Sequence, residues 1–373
     1  MHSTPTSWIE INMGHLRRNL EIIRDDMPAD FCWWSVVKDQ AYGHGAITVG
    51  RETLAAGASK LAVANIDEAL ELRSHFPSAP IVIFGERPVD ELKVCVEHKL
   101  EFFVNDIEQA KRVNEIAKKQ GQTIIIHTEV DTGMSRYGVR WNNAQVIVES
   151  ILSMSHLSLS SVMTHFAMSD ELDKTFANQQ LSRFEECIAQ IKKINSDLKI
   201  DFHACNTGGF LDLPKAHLDL VRIGILPLGV YPSEVCRRIE GIEPIMSMKT
   251  KIASIKKLEA GDVVGYGMHY KAKEPRTIAT LPMGYGRGYP RLRNKGHVLI
   301  DGKQAPIVGG NAMNAIMVDI TDIPLAKVWD EVVLVGKQEL EEITMRDLAA
   351  WAGTVPYDLM TRTSPHMPRI LKD

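Results

Sequence analysis

Apolar and polar positions alternate in two different ways along this chain. Up to residue 240, short apolar runs alternate with stretches of helical period. The runs are Phe31–Lys38, Lys60–Asn65, Pro80–Gly85, Glu101–Asn105, Thr123–Val130, Leu159–Phe166, Ile200–Asn206 and Leu218–Gly224. They read as eight strands, with amphipathic helices between several of them, for example over Asp106–Lys119 and Asn178–Asn195. Strands buried on both faces are near-continuously apolar, as Pro80–Phe84 and Thr123–Ile126 are. Eight strands alternating with helices predict an α/β fold, an N-terminal (β/α)8 TIM-type barrel, with a doubly wound open sheet as the rival.

After Pro232 long helical periods become scarce. Short β-rich runs take over at Met246–Ile255, Asp262–Val264, Arg276–Leu281, His297–Ile300, Ala305–Val308, Ala315–Ile320 and Glu331–Val335. Gly and Asp punctuate them, and one late helix is expected over Thr344–Ala352. The expected division is a barrel over 10–240 and a smaller, mostly β C-terminal domain over 241–373, joined by an N-terminal strand over 1–9.

Composition narrows the function classes. Lys plus Arg is 43 and Asp plus Glu is 47, a net charge of −4, without the basic excess of a nucleic-acid binder. A hydrophobic content of 45% argues against disorder. No apolar run reaches the ~18–20 residues that span a bilayer, and the first residues lack the blocks of a secretory signal. Five scattered cysteines, never spaced C-x-x-C, fit the reduced thiols of a cytoplasmic protein better than disulfides or a metal site.

In a barrel, reactive side chains belong at the C-terminal ends of the strands. Lys38 closes the first run and is followed by Ala41-Tyr42-Gly43-His44-Gly45. A lysine partly removed from water has a lowered pKa and a nucleophilic amine, although a lone strand-end lysine more often reaches solvent. Thr207-Gly208-Gly209 and Arg222-Ile223-Gly224-Ile225 follow strands seven and eight, where barrels commonly build phosphate sites. Either alone is more often a turn. Together with Lys38 they point to a phosphorylated aldehyde cofactor, pyridoxal phosphate. His165 ends strand six and Arg136 follows strand five; a buried, hydrogen-bonded histidine and a surface arginine are their plainer readings. No zinc-protease, P-loop or nucleophile-elbow motif is present, and Gly284–Gly288 is a lone glycine-rich loop.

These residues also match a family. The chain resembles the alanine racemases, fold-type III pyridoxal-phosphate enzymes, from Ile9-Glu10-Ile11-Asn12 to Pro368-Arg369. Val36-Val37-Lys38 with Ala41–Gly45 resembles the cofactor-lysine signature, and Asp131-Thr132-Gly133-Met134-Ser135-Arg136 the substrate-arginine segment. Thr164-His165-Phe166, His203–Thr207, Arg222-Ile223-Gly224, Gly229–Ser233 and Gly265-Tyr266-Gly267 follow in family order. The resemblance implies interconversion of L- and D-alanine by two bases, Lys38 on one face and Tyr266 of the partner subunit on the other, in a head-to-tail homodimer. It implies that Arg222 meets the pyridine nitrogen, that Arg222 and His165 are cationic groups near Tyr266, and that Asn206 adjoins the cofactor. It places Tyr42, Thr207, Gly224, Ile225 and Tyr357 around the phosphate. Arg136 would take the substrate carboxylate, helped by Met313, with Tyr285 at the entrance.

Some positions depart from the family pattern. Glu129 stands where many members carry a lysine that is often carbamylated, so its carboxylate would orient Arg136 directly. Gln40, Asn314, Arg287, Leu228 and His366 also differ. They leave room for serine or a larger polar amino acid as substrate, or for a non-catalytic pyridoxal-phosphate-binding relative. A decarboxylase of the same fold type would need a cysteine in the β domain, and none lies beyond Cys236.

Overall fold

The computed structural model describes residues 5–195 and 197–373. Two compact units divide the chain. One holds Arg17–Ala41 and Ala46–Glu243; the other holds the residues through Leu16, Tyr42–Gly45 and Pro244–Asp373.

The first unit is a ring of parallel strands. Its eight strands are Cys32–Val36, Lys60–Val63, Ile81–Ile83, Glu101–Phe103, Ile124–Asp131, Leu157–Met163, Asp201–His203 and Leu220–Ile223. Each coincides with one expected run. The first strand pairs with the second through Trp34 and Lys60 and with the eighth through Cys32 and Leu220. Two backbone bonds complete the circle: Asp219 N–H donates to Phe202 O at 3.1 Å and Arg222 N–H to Cys205 O at 3.0 Å. An open sheet has no such last contact, so the doubly wound alternative falls.

Helices begin where local chemistry permits. Asp106 caps Ile107–Lys119 by accepting from Gln109 N–H, and the helix ends on Lys118 and Lys119, which suit the negative end of its dipole. The interior is packed by Trp34, Ala62, Val82, Phe103, Met163 and Leu220, each from a different strand.

In the second unit, seven strands form one sheet: six in the order Lys303–Pro306, His297–Ile300, Glu331–Gln338, Met246–Lys251, Ser7–Asn12 and Arg369–Lys372, with Glu341–Ile343 paired to Glu331–Gln338 off that path. Ser7–Asn12 runs antiparallel to Met246–Lys251, from Ser7 opposite Thr250 to Ile11 opposite Met246. Of the expected strand 1–9, residues 1–4 lie outside the described residues. The expected single strand Met246–Ile255 is two strands. Ile252 N–H bonds to Asp330 O and Ala253 N–H to Thr280 O, so the chain leaves one sheet there and joins another as Ser254–Leu258. That second sheet continues through Arg276–Leu281 and Ile316–Asp319. Strands Tyr270–Lys271, Glu341–Ile343 and Arg369–Lys372 escaped the sequence reading. The late helix is Met345–Ala352, with Thr344 and Asp347 forming a reciprocal capping box. Among the described residues no helix is long and apolar enough to cross a membrane.

Candidate active site

Lys38 follows the first barrel strand and opens an unusual turn. Residues Lys38–Gly43 are helical, yet Asp39, Gln40, Ala41 and Tyr42 have φ of 52°, 55°, 50° and 51°. Four successive non-glycine residues in the left-handed region cost roughly 1–2 kcal/mol each, so other contacts hold the turn in place. The Lys38 amine is half-buried. Burial lowers its pKa, and Arg136 lowers it further, while Asp39 and Glu68 pull it back up. The neutral, nucleophilic form is therefore easier to reach than in an ordinary lysine.

Arg222, on the eighth strand, is buried at the centre of a hydrogen-bond chain. Its Nη1–H donates to His203 Nδ1 at 2.7 Å. Its Nη2 donates to the carbonyls of Thr164 and Ala204 at 2.9 and 3.0 Å and to His165 Nδ1 at 3.2 Å. A guanidinium only donates, so both imidazoles accept at Nδ1. His203 then carries its proton on Nε2 and gives it to Ser161 Oγ at 2.9 Å. Ser161 donates in turn to His127 Nδ1 at 2.7 Å, and His127 Nε2–H to Glu101 at 2.8 Å. Lys60 closes the chain on the same carboxylate oxygen. Trp34 packs edge-on against both imidazoles, with ring centroids 5.1 Å from His127 and 4.6 Å from His203. Ser161, His127 and Glu101 have the connectivity of a nucleophile triad, but all three are buried in the barrel interior. They hold Arg222 in place rather than meet a substrate.

Burial pulls the Arg222 pKa down to about 10, which leaves it cationic at neutral pH. Burial, then the charges of Arg222, Arg136 and Lys38, hold the His165 pKa well below the imidazole range. His165 is therefore neutral, not the cation expected from the sequence. Burial disfavours the protonated ring most, and the neighbouring cations add to it.

Strand five ends in a loop built around Asp131. Its carboxylate accepts from Gly133 and Ser135 N–H at 3.0 and 2.9 Å and from Arg140 at 3.2 Å. Although burial pushes its pKa up, these donors hold it below the usual carboxylate range. The loop presents an exposed Arg136, whose guanidinium lies 5.9 Å from the Tyr137 ring centroid. Gly138, at φ 96°, brings the chain back against Glu129; a Cβ there would meet the Glu129 carbonyl oxygen at 2.6 Å. Glu129 is buried, with its N–H bonded to Asn105 Oδ1 at 2.8 Å. Burial raises its carboxyl pKa, and Arg136 and Arg222 act against that rise. Lys38, Arg136, Glu129, His165 and Arg222 thus share one electrostatic neighbourhood at the C-terminal ends of the strands.

The loops after strands seven and eight also meet. Asn206 caps the short helix Thr207–Asp212 by accepting from Gly209 N–H at 2.9 Å, and Gly224 N–H donates to Thr207 Oγ1 at 3.3 Å. Ile225 follows Gly224 directly, and Leu228 is buried in the next turn. Tyr42, Tyr266, Tyr285, Met313 and Tyr357 belong to the other unit. There Tyr266 is 78% exposed, Met313 56% and Tyr285 43%. Gly286 N–H bonds to Met313 O at 2.8 Å, which ties the Tyr285 loop to the Met313 loop.

Sequence reading missed the chain from His203 to Lys60 and the acids that hold the left-handed turn. A signal for the first existed. His127, Ser161 and His203 are polar residues inside otherwise apolar runs, and His127 lies opposite Ser161 in the strand register.

Comparison with known proteins supports one family throughout. Residues 11–232 match the model for the N-terminal domain of alanine racemase and residues 245–371 that for its C-terminal domain. An alanine racemase from Syntrophobacter fumaroxidans is 38% identical over 355 residues, covering 95% of this chain and 94% of the relative. The structure of an alanine racemase from Clostridium difficile superposes with a TM-score of 0.93 at 32% identity, covering 100% of this chain and 97% of that one. An alanine racemase from Bartonella henselae with covalently bound pyridoxal phosphate gives a TM-score of 0.87 at 25% identity, covering 99% of this chain and 100% of that one. The chain belongs to the alanine racemase family.

Proposed function

We propose that this chain is a pyridoxal-phosphate-dependent alanine racemase that works as a homodimer with shared sites. The observation that carries the reading is the half-buried Lys38 amine in one electrostatic neighbourhood with Arg136, His165 and Arg222.

The residues present fit the cofactor. Lys38 would hold its aldehyde carbon through the amine. The four Arg222 bonds given above leave from Nη1 and Nη2, which reserves Nε–H for a pyridine nitrogen. Because an arginine gives up no proton, that nitrogen would stay unprotonated. Asn206, Thr207, Gly224 and Ile225 lie on the two linked loops suited to the phosphate end, and family resemblance adds the phenols of Tyr42 and Tyr357. When bound, pyridoxal phosphate supplies an electron-withdrawing ring that acidifies the substrate Cα–H.

Racemisation needs a proton carrier on each face of the reacting carbon, since one base tends to return the proton to the face it left. Lys38 Nζ serves one face. Tyr266 Oη of the partner subunit serves the other. Arg136 holds the substrate carboxylate, with the Met313 backbone as a second donor and Tyr285 narrowing the entrance. Tyr266, Met268, Tyr285 and Met313 are all exposed on the second unit, and large apolar side chains left in solvent suit burial against a copy of the chain. The free cysteines, four of five buried, suit a reducing cytoplasm.

Borohydride should fix the cofactor onto Lys38, and the protein should interconvert the alanine enantiomers faster than those of serine or lysine. Lys38→Ala and Tyr266→Phe variants, each inactive, should regain about a quarter of wild-type activity when mixed. Half the dimers are then hybrids, each with one intact site. No regain after verified subunit exchange would place both bases on one chain.

A further inference from the structure

The left-handed turn after Lys38 is held by the helix Ile66–His75 of the same unit. Asn65 caps that helix by accepting from Glu68 N–H at 3.0 Å. Glu68 occupies the third helical position, where an acid normally reaches back to the cap residue's own N–H and completes a capping box. Here it does something else. One carboxylate oxygen accepts from Ala64 N–H at 3.1 Å and the other from Asp39 N–H, across 29 positions of sequence. One turn further on, on the same helix face, Glu71 accepts from Gln40 Nε2 at 2.8 Å, and Gln40 Oε1 accepts from Ala46 N–H at 3.3 Å. The two acids grip the two residues directly after Lys38, both at positive φ.

We propose that Glu68 is a positioning residue for Lys38: it is diverted from capping its own helix to clamp the left-handed turn that aims the Lys38 amine. The proposal rests on the reading of Lys38 as the cofactor lysine and adds a residue to it. Hydrogen bonds to a charged acceptor are among the stronger ones. Without the clamp the chain after Lys38 relaxes toward negative φ, and the amine loses its fixed direction. Glutamine at 68 keeps an acceptor oxygen but no charge; alanine keeps neither.

The test uses the full-length chain with two readouts: the dissociation constant of pyridoxal phosphate, and amide exchange over residues 37–46 in cofactor-free protein. In Glu68→Ala the dissociation constant should rise about tenfold to a hundredfold, exchange at 39–42 should quicken, and Glu68→Gln should fall between. The decisive arm is rescue. Glycine adopts positive φ without steric cost, so Asp39→Gly in the Glu68→Ala background should bring cofactor affinity back to within about threefold of wild type. A Glu68 that merely stabilises its helix would not be rescued by a glycine at position 39. Unchanged affinity in Glu68→Ala, or lost affinity with no rescue, overturns the proposal. Borohydride-fixed cofactor recovered on another lysine would overturn the reading of Lys38 instead, leaving amide exchange to decide whether the clamp exists.

Discussion

At the scale of single residues, the site depends on which groups are charged and which are held neutral. Glu129 is buried between opposing influences, with Arg136 and Arg222 favouring its anion. If the carboxylate orients Arg136, Glu129→Gln should raise the alanine KM several-fold with a smaller change in kcat. An unchanged KM would remove Glu129 from substrate binding. Ser161 is the middle of the Arg222 chain, donating to His127 and accepting from His203. Ser161→Ala leaves a buried N–H and a buried ring nitrogen without partners, and should cost about 2 kcal/mol of stability in denaturant unfolding; Ser161→Thr should recover most of it. The neutral state of His165 was not legible beforehand. It follows from burial first and from the cations Arg222, Arg136 and Lys38 second, and only the fold establishes either.

At the scale of elements, period and punctuation carried most of the information. All eight barrel runs became strands, because strands buried on both faces need near-continuous apolar character. Met246–Ile255 did not stay whole, because its hydrogen-bond partners change at Ile252 and Ala253. A hydrophobic pattern does not record which neighbour a backbone N–H will find. The late helix is a case of local legibility: Thr344 accepts from Asp347 N–H at 3.1 Å, and Asp347 reaches back to Thr344 N–H at 2.8 Å. Thr344→Ala should cost about 1 kcal/mol, seen as a lower denaturation midpoint with racemisation little changed. A midpoint that does not move would mean the helix is held by packing alone.

At the scale of the whole molecule, the barrel interior is sensitive to acid. His127 and His203 are fully buried, and burial lowers both pKa values below the usual imidazole range; Arg222 lowers His203 further, while Glu101 partly restores His127. Unfolded imidazoles take up protons as pH falls through ~6.5, whereas these two resist. Their contribution to stability is therefore complete above that pH and is lost as pH falls toward the folded values, by up to ~1.4 kcal/mol per pH unit for each ring. Burial alone would raise the Glu101 pKa, but His127 and Lys60 outweigh it, so a further loss sets in as pH falls through the ordinary carboxylate range toward the lower folded value. The melting temperature should fall steadily from pH 7 to 5. A flat profile would show that the native rings already carry protons.

The order of apolar runs by itself determined the alternation of strands and helices, the change to β structure after Pro232, and the placing of Lys38, His165 and Arg222 at strand ends. Those features depend on periodicity and on short-range chain geometry. Ring closure through Phe202–Asp219 and Cys205–Arg222, the proton positions on His127 and His203, the neutral His165 and the left-handed turn gripped by Glu68 were decided only in three dimensions. Each depends on a partner distant in sequence, and on desolvation that exists only once the strands have closed around it.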